Sequence, residues 1–320
     1  MTQYITRRIL ISIPLLFGIS IITFIIINMA PGDPLTALLD PEDQISLSVR
    51  DIEAMRRELG LDRPGPVRYV IWLKEAVTGN LGFSYQTKRP VVEMVLDKLP
   101  VSLSLMGVAL ALASSIGVMF GVISALKQYS VIDYSLSVIS FFMISIPQFF
   151  FALSGMLIFA VWLGWLPVFG MWTAGEDPEL WDLARHAILP ISALMLQDIA
   201  VYMRYTRASM LDTLSAEYVL TARAKGLSEA LVLWKHVFRN ALVPLVTILG
   251  LSLPALIGGA LIIETIFSWP GVGALAYDAL RQRDYPVQMA VLLMGATAVL
   301  AANLLADVAY AWVDPRVRHA

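Results

Sequence analysis

Apolar residues in this chain gather into long runs separated by polar stretches instead of alternating along it. About 20 consecutive apolar residues cross a bilayer as a helix, and six runs qualify: 9–29, 101–126, 134–163, 186–203, 241–263 and 287–312. The predicted fold class is an all-α integral membrane protein with six transmembrane helices and a long loop after the first. That first run follows Arg7 and Arg8 and has no A-x-A-like cleavage site, so it reads as an uncleaved span. Six spans place both termini on one side.

The cations choose the side. Lys and Arg number two at the N-terminus, one at Lys127, six between Arg204 and Asn240 and two at the C-terminus, against three in the loops 164–185 and 264–286. The excess places both termini and the 204–240 segment in the cytoplasm. The other nine lie in the loop 30–100, long enough to translocate regardless of charge, which is then extracytoplasmic. This loop carries helix signals: Ser48 three residues before Asp51, Ile52, Met55 and Leu59 on one face with Gly60 as a stop, then a second run from Pro66 to Gly79. It reads as a small folded cap, either a lid on the spans or a dock for an external partner.

Within the spans, Gly117 and Gly121 form a GxxxG that permits close backbone approach; helix packing is favoured over a homodimer face. Pro147, followed by Gln148, interrupts the third run and frees a carbonyl, as in a kink or a cavity wall. Asp198 is a carboxylate at membrane depth, a functional candidate because its burial is costly; snorkelling toward the cytoplasmic boundary is the other reading. Glu264 and Asp307 lie near span ends and are expected to face water or headgroups.

The polar segment Arg204–Asn240 is read as a helix continuing from the fourth span to Lys225, stopped by Gly226. A second helix follows, with Ser228 as N-cap, Leu227 and Val232 as a staple, and Leu231, Trp234 and Phe238 as its apolar edge. Such a pair either rests on anionic lipid through Arg223, Lys225, Lys235 and Arg239 or docks a partner. The small residues Thr221, Ala222 and Ala224, read as exposed, favour a partner groove.

Composition agrees: of 320 residues, 58% are hydrophobic and 15% charged, with a mean hydropathy of +0.72. A net charge of −2 gives no field for nucleic acid. Cysteine is absent, and His186, His236 and His319 are widely spaced, so metal chemistry and thiol catalysis lack a basis. No GxxxxGK[ST] and no GK dipeptide occur, hence no P-loop, and ATP hydrolysis would need another subunit. No G-x-S-x-G or HExxH supports an intramembrane hydrolase.

EYVLTARAKGLSEALVLWKHVFRNALVP, from Glu217 to Pro244, resembles the cytoplasmic loop of ABC importer permeases of the dipeptide/oligopeptide branch. MAPGDP (29–34), LGLDRPGPVRYVIWL (59–73), GNLGFSYQTKRPV (79–91), ETIFSWPGVGALAYDAL (264–280), RDYPV (283–287) and DPRVR (314–318) resemble further family blocks in the family's order. The likeness implies a type I importer permease of a bacterial or archaeal cytoplasmic membrane. It also implies a second related permease, two cytoplasmic ATPase subunits holding ATP and Mg, an external substrate-binding protein and no cofactor in this chain. Peptides or similar polar solutes are the implied cargo.

By that likeness, Tyr218–Leu227 is the coupling helix, and Glu217, Tyr218, Thr221, Ala222, Arg223, Lys225, Gly226 and Leu227 contact the ATPase. ATP-driven closure would move it and switch the pathway between outward-open and inward-open states. Pro147, Gln148 and Asp198 are the pathway candidates. The chain departs from the pattern where many ABC importers open the loop with Glu and this one has Leu220, and where their Pro is absent before Pro244. The competing function is a secondary transporter in which Asp198 carries a proton, although six spans without a visible inverted repeat give it little basis. Domain limits follow as 1–29, 30–100 and 101–320, the last including the coupling segment 204–240.

Overall fold

The computed structural model describes residues 2–29, 35, 49–58, 60–242, 244–246, 248–250, 252 and 260–313. Among them the chain is helical, with a single isolated antiparallel bridge between Phe83 and Pro90. Helix α1 is Thr2–Met29, α2 is Val49–Glu58 and α3 is Gly65–Val77. Gly60 follows α2 at φ +65° and Gly79 follows α3 at φ +86°, as the glycine stops predict. Ser48 and Leu59 lie outside the described residues. Tyr69 of α3 anchors the cap to α1: its hydroxyl meets Ser20 Oγ at 2.8 Å, and its ring packs edge-on against Phe17 and Phe24.

Helix α4, Val91–Leu126, begins ten residues before the run at 101 suggests. It starts behind Pro90 and carries Pro100 inside it, so the polar turns before the bilayer are helical too. Helix α5 (Val131–Ser145) and α6 (Gln148–Gly155, continued by the wider π turns Met156–Trp162) occupy the third run. They bend by 98° at Pro147, far more than a kink in one straight span. The carbonyl exposed at the break finds a partner in the amide of Gln197, whose Nε2 donates to Ile146 O at 3.1 Å.

Helix α7, Leu180–Leu214, is a continuous 35-residue rod and packs along α4 as the central pair of the fold. The GxxxG explains the closeness. A Cβ on Gly117 would lie 2.7 Å from Tyr202 Cβ, and one on Gly121 would lie 2.6 Å from Thr206 Cβ and 2.7 Å from Met203 O. The glycines therefore serve packing within this chain. At the end of the pair, Asp133 beside the α4–α5 turn takes both forks of Arg207 on α7, at 2.7 and 2.8 Å, and the Ser124 hydroxyl of α4.

Five helices among the described residues are long and apolar enough to cross a membrane, or six if the bent α5–α6 pair counts as one span. One of the five, Glu229–Gly250, starts earlier than the run at 241. The remainder of 241–263 falls partly outside the described residues. Helices α10 (Leu261–Ile266), α11 (Val272–Arg281) and α12 (Tyr285–Val313) complete the chain, with α12 packed along α1.

Candidate functional site: the 204–240 segment

The helix expected to run unbroken to Lys225 ends at Leu214. Ser215 turns its hydroxyl back to Asp212 O at 2.9 Å, and Ala216 adopts extended dihedrals of φ −71° and ψ 142°. The chain then restarts as α8, Glu217–Ala224. Gly226 closes α8 at φ +77° with Gly226 N donating to Arg223 O at 2.9 Å, the left-handed stop that glycine makes without strain. After it, α9 is built from Glu229–Leu231, π turns over Val232–Phe238 and Arg239–Ala241. Ser228 occupies the N-cap position but its side chain makes no capping bond.

The π winding corrects the predicted faces. With i→i+5 hydrogen bonds, residues five apart share a side, so Val232 and Val237 are the buried pair of these π turns. Leu231 and Trp234 are exposed, the Trp234 ring resting on Phe238 at 5.0 Å between centroids. Ala222, predicted exposed, is 6% accessible: it joins Val219, Val232, Val237, Met210 and Ala125 in a small core of its own. Of the residues assigned to ATPase contact, Ala222 supports the platform from beneath. Glu217, Tyr218, Thr221, Arg223, Lys225, Gly226 and Leu227 form the exposed side.

That side is held in shape by polar ties. Arg223 donates to Glu229 at 2.6 and 3.2 Å across the glycine turn, which raises the guanidinium further above its ordinary value. Tyr218 accepts from Asn240 Nδ2 at 3.1 Å, and Thr221 Oγ1 donates to Glu217 O at 3.0 Å. The product is a mixed-charge knob, tied by side-chain hydrogen bonds, on a short apolar core.

The pathway candidates are set apart from it. Gln148 reaches Leu194 O at 3.4 Å, so Pro147 and Gln148 abut the middle of α7. Asp198, one residue after the Gln197 that serves the break, is half-buried and makes no hydrogen bond or ion pair to any described residue. Glu264, expected at a watery span end, is instead fully buried. It accepts from Ser102 Oγ at 2.6 Å and from the amides of Gly273 and Ala274 at 2.7 and 3.1 Å, so it fastens α10 and α4 to the start of α11. A span-end position gives a residue's depth but does not reveal that a later segment folds over it. The Asp307 side chain lies outside the described residues.

Sequence patterning does not single out Asp284. It is 4% exposed and accepts from Ser84 Oγ and the amides of Tyr85 and Gln86, which pins the end of the outer loop to the start of α12. The available signal is a pair of blocks of the family pattern, GNLGFSYQTKRPV and RDYPV, which the fold brings into contact.

Comparison with known proteins decides the family. The model of the binding-protein-dependent transport system inner membrane component matches residues 117–319, and the N-terminal model of the same membrane component matches residues 1–106. The chain belongs to this family. It is a multi-pass inner-membrane permease subunit of the ABC importer type, as the loop motif implied. Curated relatives include the oligopeptide transport system permease AppB of Bacillus subtilis, 45% identical over 100% of both chains. Others are the dipeptide permease DppB of Alkalihalophilus pseudofirmus, 38% identical over 100% of both, and the glutathione permease GsiC of Escherichia coli, 37% identical over 100% of both. Among solved structures, the inward-facing MetNI methionine ABC transporter shares the fold of this permease at TM-score 0.55 and 16% identity, covering 69% of this chain and 96% of that one. The ion-driven secondary transporter is set aside, since the family's transport depends on a binding protein.

Proposed function

We propose that this permease passes peptides, or polar solutes of similar size, across the cytoplasmic membrane after an external binding protein delivers them. It would do so paired with a second, related permease and with two ATPase subunits that bind ATP and Mg. The observation that carries the mechanical part is the α8–Gly226–α9 knob, whose exposed polar side rests on its own buried core and joins directly to α7. Glu217, Tyr218, Thr221, Arg223, Lys225, Gly226 and Leu227 would seat in the ATPase, with Ala222 behind them, and both termini would share the cytoplasmic side. Residues 1–29, 30–100 and 101–320 would serve as first span, outer cap and transport core. The relatives named for oligopeptides, dipeptides and glutathione support the cargo class.

For the pathway, Pro147, Gln148 and Asp198 are the assigned wall. An unpaired carboxylate at this depth is costly, so the partner of Asp198 would come from the cargo or from the second permease. The deciding experiment purifies the tagged permease from its native membrane, identifies co-eluting chains, and measures peptide uptake in vesicles with ATP supplied or the proton gradient collapsed. A second permease and P-loop ATPases should co-elute, and uptake should need ATP and survive gradient collapse. Asp198→Asn should change cargo range or rate while the ATPases still co-elute; loss of the ATPases in that variant would make Asp198 structural.

A further inference from the structure

Where α1 ends, a cavity of about 220 Å³ opens between α1, α3 and the start of α12. Its apolar wall comes from Phe24 and Ile27 of α1 with Met289 of α12, and its polar wall from Arg63, Arg68 and Trp72. Three features of the polar wall point to an anion. The indole Nε1–H of Trp72 is buried with no hydrogen-bond acceptor among the described residues, a state that costs free energy unless a ligand accepts it. Arg68 is half-buried and, like Arg63, forms no ion pair or hydrogen bond to any described residue. No carboxylate lines the cavity among the described residues.

The opposite wall narrows the choice of anion. Near the cavity, α1 also carries exposed apolar side chains, Phe17, Ile22 and Ile25. Trp72, Tyr85 and Tyr285 line the same cavity, and Trp and Tyr are the residues enriched where a protein crosses from hydrocarbon to headgroups. A volume below about 300 Å³ is too small for a whole drug-sized ligand. It suits a headgroup whose chains leave along α1.

We propose that this cavity binds the phosphate of an anionic phospholipid, held by Arg63, Arg68 and the Trp72 indole N–H, with the acyl chains lying along α1 beside Phe24 and Ile27. Guanidinium groups suit a phosphodiester because their forked donors match its oxygens. The lipid would fill the seam between the first helix, the outer cap and the last helix.

The test uses the purified, delipidated permease complex in detergent, titrated with phosphatidylglycerol, with phosphatidylcholine and with inorganic phosphate, while bound molecules are counted by native mass spectrometry. Wild type should hold one phosphatidylglycerol more than R63Q/R68Q does, with binding at that site weakened about thirtyfold in the double variant. Trp72→Phe, which keeps the bulk and removes only the donor, should weaken it less. Phosphatidylcholine should bind both proteins alike, and millimolar inorganic phosphate should not displace the lipid. Equal phosphatidylglycerol binding by wild type and R63Q/R68Q overturns the site; displacement by inorganic phosphate makes it a soluble-anion site and overturns the lipid. Both readouts are independent of transport, so they stand apart from the proposed cargo.

Discussion

Ser84 and Asp284 lie 200 residues apart in the chain and share a buried hydrogen bond. With the amides of Tyr85 and Gln86 on the same carboxylate, one side chain closes the outer cap onto the last helix. Asp284→Asn puts an NH2 group where an acceptor is needed, and should cost about 1–3 kcal/mol, seen as a lower thermal midpoint in detergent. Ser84→Ala, which leaves both amides paired, should cost about 1 kcal/mol. Equal midpoints for Asp284→Asn and wild type would show that the clamp is dispensable.

The α4–α7 seam predicts a contrast between two glycines of one helix. Gly121→Ala drives a methyl group into Thr206 and the Met203 carbonyl, and overpacking of this kind costs about 1–3 kcal/mol. A methyl group on Gly107 would meet no described neighbour within 4 Å. There alanine should be neutral or stabilise by up to about 1 kcal/mol through helix propensity. Folded yield and thermal midpoints of the two variants check the ordering.

Asp133 is nearly enclosed while Arg207 retains 28% of its side-chain surface. Arg207→Met strands the carboxylate and should cost about 3 kcal/mol, the low end for a buried pair because Arg207 is partly solvated. Adding Asp133→Asn removes the stranded charge and should recover part of the loss. A double variant no more stable than Arg207→Met would show that the charge is not the source of the cost.

Gly226 stands at positive φ with open space around its missing side chain. Substitution there strains backbone alone, by about 1–2 kcal/mol for an ordinary residue. Gly226→Val should leave the permease in the membrane with its ATPases while peptide uptake per ATP hydrolysed falls. Gly226→Asn, which tolerates the left-handed region, should retain most uptake. Normal coupling in Gly226→Val would remove the turn from the coupling path.

Hydrophobic runs announce spans because bilayer thickness fixes their length, and a glycine stop announces itself because only glycine enters left-handed backbone freely. Gly226, Gly60 and the GxxxG are legible for those reasons. Leu231 and Trp234 are misplaced by their sequence pattern because π turns over Val232–Phe238 change which residues share a face, and Ala222 because Val232 and Val237 of the following helix pack against it. Glu264 and Asp284 escape sequence reasoning because their roles depend on segments up to 200 residues away. The likeness to family blocks marks those segments but does not say that they touch.

The glycine seam also bears on the mechanics of the proposed coupling. Two helices whose backbones meet can neither slide nor twist past one another without first separating, so α4 and α7 must travel as one body. At 35 residues α7 is roughly 50 Å long, and a tilt of roughly 10° about its midpoint carries each end roughly 4 Å in opposite directions. Under the proposed coupling, a small push on the knob would reappear at the far end of α7 as a displacement of comparable size, with no need for α7 to unwind.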